Sequence, residues 1–255
     1  MTNKNQSFCT RMNRFMPFSL IMAICLSCNS PKSPQQTSGT HADTTKTNAA
    51  HAPKSRTALR LDSLGYQNIA EQDSTIIVDL MYAKPDNFTG KILYADLREG
   101  YLHPDAMKCL LKAQQILRKQ HPECRLIVYD AARPMSVQQE MWDEVKGTPL
   151  NIYVSNPAHG GGLHNYGLAV DVSIVDNDKN PLPMGTPVDY MGKASHITDE
   201  MQLVADGIIT EQERQNRLLL RSVMKEAGFR ALPSEWWHFN YCSRATAREN
   251  YECIK

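Results

Sequence analysis

The stretch HGGGLHNYGLAVDV, residues 159–172, decides the fold of this chain because it joins a glycine turn to an apolar strand. Gly167 stands between His164 and Asp171, and glycine adopts backbone conformations that other residues avoid. A turn at Gly167 would bring His164 back over the strand that carries Asp171. We therefore predict that these two side chains lie close together.

The strand after this turn is predicted over residues 168–175. Because side chains alternate along a strand, Ala169, Asp171 and Ser173 share one face. The other face is apolar and carries Leu168, Val170, Val172 and Ile174. The small, polar face is the one that can line a cleft, and the apolar face is expected to pack in the core.

A second stretch contains side chains that can take part in catalysis or bind a metal. It is SEWWHFN at residues 234–240, in which Glu235 lies three residues before His238. Catalytic zinc sites take three protein ligands, usually His nitrogens and carboxylate oxygens, and keep one position open. His164, Asp171 and His238 would supply these ligands. Glu235, in the turn before regular strand pairing, would act as general base to the attacking water.

Purely structural roles for the same residues are the alternative. A histidine close to an aspartate often makes only a structural hydrogen bond, which would explain His164 and Asp171. Glu235 would then be a surface residue and His238 a core histidine beside the tryptophans.

The rest of the chain alternates between predicted helices and strands. Helices are predicted at residues 104–120, 136–146 and 211–227, and strands at residues 74–81, 125–130 and 236–241. Ser136 with Gln139, and Thr210 with Glu213, have the spacing of capping boxes. Residues 177–206 form a long polar segment with repeated Pro and Gly, as functional loops do. This order predicts an α+β fold, a single compact domain with a central, mostly antiparallel sheet flanked by helices.

Residues 1–28 resemble a bacterial lipoprotein signal, with a positive n-region and an apolar run that ends in Ser27-Cys28. Cys28 would then carry the lipid anchor, which is the only membrane contact expected. A plain secretory signal and an uncleaved anchor are the alternatives, and all three place the folded part in the cell envelope or outside the cell. Residues 29–58 are predicted to be a disordered linker because they lack large apolar side chains. The folded domain is expected at residues 59–255.

Charge and cysteine content limit the classes of partner and site. The formal net charge is +1, so no basic surface for a nucleic acid is indicated. Four cysteines fall in the predicted domain, namely Cys109, Cys124, Cys242 and Cys253. They show no CxxC spacing, so we interpret them as structural residues, either disulfide-bonded or buried thiols, and not as metal ligands. The pairing and the oligomeric state are left open.

The stretches HNYGLAVD and EWWH are similar to the paired HxxGxAxD and ExxH signatures of the zinc D-Ala-D-Ala peptidases. Three further segments resemble the dipeptidase branch of that family, the type found in vancomycin resistance: DNFTGK at residues 86–91, DAARP at 130–134 and MGTPVDYMG at 184–192. The resemblance extends over residues 70–241. It implies a peptidase with a small D,D-dipeptide as its substrate.

The resemblance also implies the site residues. His164, Asp171 and His238 would bind one Zn²⁺ per chain, and Glu235 would be the catalytic glutamate. Arg133 matches the arginine that stabilises the tetrahedral intermediate in the family, with a salt bridge beside a helix as the structural alternative.

Two weaker candidates and one departure complete the implied site. Asp189 is a weak candidate for holding the ammonium group of the substrate. Gly162 stands where the family usually has serine, so a hydroxyl that could bind the substrate is missing there. His159 is a fourth possible ligand, but it would fill the open position. A D,D-carboxypeptidase and a noncatalytic wall-binding lipoprotein remain the alternative functions.

Overall fold

A five-stranded sheet lies at the centre of the computed structural model, which describes residues 53–255. The strands in chain order are β1 (Gln67–Asn68), β2 (Ile77–Val78), β3 (Tyr101–Leu102), β4 (Arg125–Asp130), β5 (Ala169–Val175), β6 (Arg230–Leu232) and β7 (Glu235–Asn240). The central sheet has the order β2-β4-β5-β7-β6. Only the β2–β4 pair is parallel; the other three pairs are antiparallel. Strands β1 and β3 form a separate antiparallel pair.

Helices surround this sheet. They are α1 (Arg56–Ser63), α2 (Ile69–Gln72), α3 (Pro104–Gln120), α4 (Met135–Val145), α5 (Glu200–Ala205), α6 (Glu211–Ala227) and α7 (Arg244–Asn250). Short 3-10 helices lie at Met81–Ala83, Pro149–Ile152, Pro157–His159, Leu163–Tyr166 and Lys193–Ser195. The predicted α+β class, with its mostly antiparallel sheet, is therefore confirmed.

Alternation along β5 separates the core from the site, as predicted. Val170, Val172 and Ile174 are fully buried in the cluster that also holds side chains of α3 and α6, such as Leu110 and Leu220. Burying one such aliphatic side chain stabilises the fold by about 1.5–3 kcal/mol. Asp171 and Ser173 point to the opposite face. The apolar face of the strand thus packs against the helices, and its polar face is available to line a site.

Several predicted elements are confirmed at or near their ends. Helix α3 covers the predicted residues 104–120, and β4 the predicted residues 125–130. The capping box of α6 is present: Glu213 N donates to Thr210 Oγ1 at 3.2 Å, and Thr210 N donates to Glu213 Oε2 at 2.6 Å.

The predicted cap of α4 by Ser136 is wrong. The helix begins one residue earlier, at Met135, with Pro134 at the cap position and no side-chain cap hydrogen bond. Instead, Met135 N donates to the carbonyl oxygen of Ile254 at 2.8 Å. The far end of the chain therefore satisfies the first free amide of this helix, and the predicted capping box does not form.

The predicted strand at residues 74–81 is mostly absent, because only Ile77–Val78 pairs as β2. The carboxylate of Asp73 accepts hydrogen bonds from Thr75 N at 2.8 Å and Thr75 Oγ1 at 2.6 Å. Such a local bond competes with strand pairing. At the other end the chain turns into the 3-10 helix Met81–Ala83.

Four helices lie where none was predicted, and one of them is α2 at Ile69–Gln72. Helix α1 begins at Arg56, inside the segment interpreted as linker, and Ser55 Oγ caps it by accepting from Ala58 N at 3.1 Å. Helix α5 falls within the long segment 177–206, and α7 follows the last strand. These helices are short, so their apolar periodicity is weak.

The predicted signal and the lipid site Cys28 lie outside the described residues. Within residues 53–255, no helix has both the length and the hydropathy that a membrane span requires. In the same range Cys109, Cys242 and Cys253 are free thiols. The predicted thiol state is therefore observed at these three positions, although the side chains are half-buried and not fully buried.

Candidate active site

The turn that positions His164 depends on Gly167. His164 lies in the 3-10 helix Leu163–Tyr166, and Gly167 ends this helix with a φ of 63°. Gly167 N donates to the carbonyl oxygen of His164 at 3.0 Å. A Cβ atom on Gly167 would overlap the ring of Tyr66 and approach the backbone N of His103 to 3.0 Å. Glycine is thus required both by its conformation and by its close packing.

Three ligand-type side chains converge at the sheet. Asp171 on β5 pairs in register with His238 on β7, and His164 lies above them. Asp171 Oδ1 is 2.9 Å from His238 Nδ1 and 3.3 Å from His164 Nε2. The two ring nitrogens are 3.1 Å apart. All three residues are buried.

Hydrogen bonds outside this cluster fix which ring nitrogen of each histidine faces it. His164 Nδ1 lies 2.7 Å from the carbonyl oxygen of Ala131, an acceptor, so Nδ1 carries the proton. His238 Nε2 lies 2.9 Å from Asn240 Oδ1 and donates to it. With these outer nitrogens protonated, His164 Nε2 and His238 Nδ1 would offer their lone pairs to a bound cation, whereas without a cation they carry the protons that lie against Asp171.

This arrangement fits a divalent cation. With metal–ligand bonds of about 2.0–2.1 Å in a tetrahedral site, neighbouring ligand atoms lie about 3.3 Å apart. The three observed separations, 2.9, 3.1 and 3.3 Å, are close to that value. Burial alone would raise the pKa of Asp171, but His164 and His238 hold it well below its usual range. Two imidazole nitrogens and a carboxylate buried so close together favour a bound cation.

Glu235 lies beside the three ligand-type side chains and is not part of their cluster. It is the first residue of β7, paired with Leu232 at a register shift, and not in a preceding turn as predicted. The irregular register lets Glu235 and His238 face the same site although they are three residues apart. Glu235 Oε2 is 3.9 Å from His238 Nδ1. Burial is the main cause that raises the pKa of Glu235 to about 7, with Asp171 adding to it and His238 opposing it.

Arg133 extends from the segment after β4 into the same site. Its Nε donates to Asp130 Oδ2 at 3.0 Å, and its Nη1 donates to Gln138 Oε1 at 2.9 Å. Nη2 is 4.0 Å from Asp171 Oδ2. Burial by itself would lower the pKa of Arg133, but Asp130, with Tyr82, Tyr94 and Asp171 adding to its effect, raises this pKa well above its ordinary value. The salt bridge of the structural alternative is thus present, and it holds a permanent cation beside the candidate ligands.

Asp189 enters the site from the segment between β5 and α5, with a φ of 69°. Its carboxylate accepts from Tyr82 Oη at 3.0 Å and from Phe88 N at 3.1 Å. Burial is the main cause that raises the pKa of Asp189 to about 7. The DNFTGK and MGTPVDYMG segments therefore meet at this carboxylate.

A cavity of about 110 Å³ brings the predicted residues together. It is lined by Arg133, Gly162, His164, Asp171, Asp189, Glu235 and His238, among others. A larger cleft of about 670 Å³ adjoins it and shares Phe88, Asp189 and Met191 with it. His159 is exposed and is not in the metal-type cluster found among the described residues.

Some residues of the site were not predicted. Asn240 and Gln138 hold His238 and Arg133 in place, and Ser155 and Arg244 line the cavity. Asn240 had a signal in the sequence, because it lies two residues after His238 on the same strand face. Ser155 and Arg244 had none, since 89 residues separate them.

Comparisons with known proteins identify sequences similar to this chain. The family described as D-Ala-D-Ala dipeptidase, peptidase M15, matches residues 62–255. A D-alanyl-D-alanine dipeptidase of Escherichia coli K12 is 35% identical over 162 residues, which are 64% of this chain and 77% of the relative. The enzyme of that name from Enterococcus faecium is 29% identical over 186 residues, 63% of this chain and 83% of the relative. One from Synechocystis is 29% identical over 168 residues, 54% of this chain and 68% of the relative.

Proposed function

Because this chain belongs to the D-Ala-D-Ala dipeptidase family, we propose that it hydrolyses D-alanyl-D-alanine with the help of one zinc ion in the cell envelope. The observation that carries the proposal is the convergence of His164, Asp171 and His238 beside Glu235 and Arg133 in one small cavity. One bound peptide would thus be within reach of the metal-binding side chains, of a candidate base and of a cation that can stabilise developing negative charge.

His164, Asp171 and His238 would hold the zinc, with Asn240 and the carbonyl of Ala131 orienting the two rings. Zinc in such a site lowers the pKa of water towards 7 and polarises a carbonyl group. Glu235 would take a proton from the attacking water and pass it to the leaving amine. A base whose pKa is near the working pH suits this double role, because it must both accept and return the proton.

Arg133 would stabilise the negative charge that develops on the carbonyl oxygen. Its guanidinium is held by Asp130 and Gln138, so it need not reorganise during the reaction. A fixed cation is worth most where water is excluded, and Arg133 is buried. Asp189, on the wall of the same cavity, would bind the ammonium group of the dipeptide.

The family match supports a dipeptidase over a D,D-carboxypeptidase, because the matched family and its relatives are described as D-Ala-D-Ala dipeptidases. The cavity of about 110 Å³ has room for a small peptide, and the adjoining cleft of about 670 Å³ makes the longer stem peptide the substrate to compare. The test is the release of alanine from D-alanyl-D-alanine, from its L,L isomer and from a stem pentapeptide. We expect rapid release only from the D,D-dipeptide, loss of release with a chelator, and recovery with Zn²⁺. Preferred cleavage of the pentapeptide would contradict the proposal.

A noncatalytic wall-binding lipoprotein is the alternative from another class. Such a protein has no chemical need for a base or for an oxyanion partner, yet both Glu235 and Arg133 are held in the cavity. The same assay separates the two, because a binding protein would release no alanine from any of the three peptides.

The location in the envelope rests on the signal-like residues 1–28. We expect the mature chain to carry lipid on Cys28 and to fractionate with membranes. A Cys28→Ser variant should lose incorporation of labelled fatty acid and leave the membrane fraction. If the variant stays in the membrane fraction, the lipid is not what anchors the chain.

A further inference from the structure

A hydroxyl group from a distant segment occupies the space beside Gly162. A Cβ atom on Gly162 would lie 3.0 Å from Oγ and 3.3 Å from Cβ of Ser155. The φ of Gly162 is −106°, which any residue can adopt. The neighbouring side chain, and not the backbone, therefore limits what can stand at this position. Ser155 and Gly162 both line the 110 Å³ cavity, and the Ser155 hydroxyl lies where a side chain at position 162 would project.

Two hydrogen-bonded contacts fix Ser155 in relation to Arg133. The carbonyl oxygen of Ser155 accepts from Gln138 Nε2 at 2.8 Å. The other end of the same amide, Gln138 Oε1, accepts from Arg133 Nη1 at 2.9 Å. Gln138 is buried and spans both residues. The position of Ser155 is therefore set by the same side chain that holds the candidate oxyanion partner.

Arg244 brings a cation to this hydroxyl. Its Nη2 donates to Ser155 Oγ at 2.9 Å, and Arg244 is one of the residues that line the cavity. Within residues 53–255 it has no carboxylate at ion-pair distance, whereas Arg133 is paired with Asp130. Because Ser155 Oγ accepts from Arg244, its own proton remains available to donate.

A zwitterionic dipeptide needs two charged partners in the cavity. Asp171, Asp189 and Glu235 are the acidic residues on its wall, and Asp189 is the one assigned to the ammonium group. Arg133 and Arg244 are the arginines that line the cavity, and Arg133 already forms an ion pair with Asp130. Arg244 is therefore the cation that can bind the terminal carboxylate. A guanidinium binds a carboxylate through two parallel hydrogen bonds, and a hydroxyl can complete the shell.

We infer that Ser155 and Arg244 form the subsite for the terminal carboxylate of the dipeptide, in place of a hydroxyl at position 162. This inference rests on the proposed function, whose substrate it details. It makes Ser155 and Arg244 determinants of specificity, and it assigns them no part in bond cleavage.

The first test compares D-alanyl-D-alanine with its C-terminal amide, which lacks the negative charge. Wild-type protein should have a KM about 10- to 100-fold lower for the acid than for the amide, as expected for a charged hydrogen-bonded pair. Arg244→Ala should remove this preference by raising the KM for the acid alone, with kcat changed little. Arg248→Ala is the matched control, since Arg248 lies on the same helix and binds the carbonyl of His159 outside the cavity. An unchanged preference in Arg244→Ala would overturn the inference.

The second test moves the hydroxyl. Ser155→Ala should raise the KM for the acid roughly 3- to 10-fold, as loss of one hydrogen bond does. Gly162→Ser alone should also raise it, because the new side chain meets Ser155. The double variant Ser155→Gly with Gly162→Ser relieves this contact and should recover most of the wild-type KM. If its effect is the sum of those of Ser155→Gly and Gly162→Ser measured singly, the hydroxyl has no such role.

Failure of the subsite can be told from failure of the proposed function. If wild-type protein releases no alanine from D-alanyl-D-alanine, hydrolysis is refuted, and calorimetric binding of the acid and the amide to the intact protein still tests the subsite. Weaker binding of the acid alone in Arg244→Ala supports it. Equal binding of acid and amide to wild type overturns it.

Discussion

Asp171 on β5 is the direct register partner of His238 on β7, although 67 residues separate them in the chain. Their side chains meet at 2.9 Å between Oδ1 and Nδ1. In an antiparallel pair such direct partners lie on the same face of the sheet. Two of the three candidate ligands are therefore placed by backbone pairing, and only His164 depends on a loop.

Asp171→Asn should weaken zinc binding on the order of 100-fold or more, because the variant keeps the shape of the side chain but loses its charge. The measurement is a competition titration with a chelator of known affinity. Ser173→Ala is the matched control, since Ser173 lies two residues further on the same strand face and lines the adjoining cleft instead. Equal loss in both variants would indicate general disruption of β5.

Glu235→Gln should lower kcat by about 10²–10⁴-fold with little change in zinc content, because an amide cannot accept the proton from water. Glu235 lies beside the ligands, and no ligand atom is lost in the variant. Steady-state release of alanine and metal analysis of the same sample check both statements. Retained turnover would refute the mechanism, and loss of zinc would show that Glu235 holds the metal site together.

Asn240→Leu should weaken zinc binding by about 10- to 100-fold without removing a ligand. Asn240 Oδ1 accepts from His238 Nε2 and so keeps the lone pair of Nδ1 directed at the site. In the variant the ring can turn or change its tautomer. The chelator competition used for Asp171 applies here. Asn240→Asp serves as the control, because it preserves the acceptor and should retain most of the affinity.

The sequence was sufficient for the part of the site that periodicity and spacing govern. Alternation along β5 put Asp171 on the polar face, and Gly167 indicated the turn before it, as the structure has them. Helix α6 was predictable because its cap and its end are local signals, Thr210 with Glu213 and then Gly228.

The remainder depends on contacts between distant residues. At the start of α4 the backbone amide of Met135 donates to the carbonyl oxygen of Ile254, near the other end of the chain. No local sequence pattern predicts this hydrogen bond. The same holds for Arg244, which reaches the cavity only through the placement of α7 beside Ser155. Glu235 was predicted in the turn before the strand, whereas it is the first residue of β7. The difference arises because a register shift between β6 and β7 cannot be predicted from strand alternation.

Arg217→Met should lower the free energy of unfolding by roughly 3 kcal/mol, because it leaves two carbonyl groups unpaired. Arg217 is fully buried, and it donates to the carbonyl oxygens of Met184 at 2.6 Å and Ala194 at 3.0 Å. These two residues bound the segment that carries Asp189. Urea unfolding measures the change. Arg214→Ala should cost less than about 1 kcal/mol, since its pair with Glu211 is near the surface.

The pKa of Asp189 predicts a pH dependence of stability in the metal-free protein. Burial raises this pKa to about 7, well above the value of 3.8 for an exposed aspartate. The folded state therefore keeps a proton that the unfolded state releases between these two values. The stabilisation linked to that proton is complete below about pH 4 and is lost as the pH rises to about 7. At about 1.4 kcal/mol for each pH unit, the loss is roughly 4 kcal/mol at most.

Asp189→Asn removes the titration but keeps groups that can bond to Tyr82 Oη and Phe88 N. We therefore expect the free energy of unfolding of wild type, relative to this variant, to fall by several kcal/mol between pH 4 and pH 8. Urea unfolding of both proteins in a chelator at several pH values gives this difference directly, since all other titrating groups are shared. A difference that stays flat over this range would show that Asp189 is ionised throughout. Its proposed partner, the ammonium group of the dipeptide, would then meet a carboxylate that carries full charge even at acidic pH.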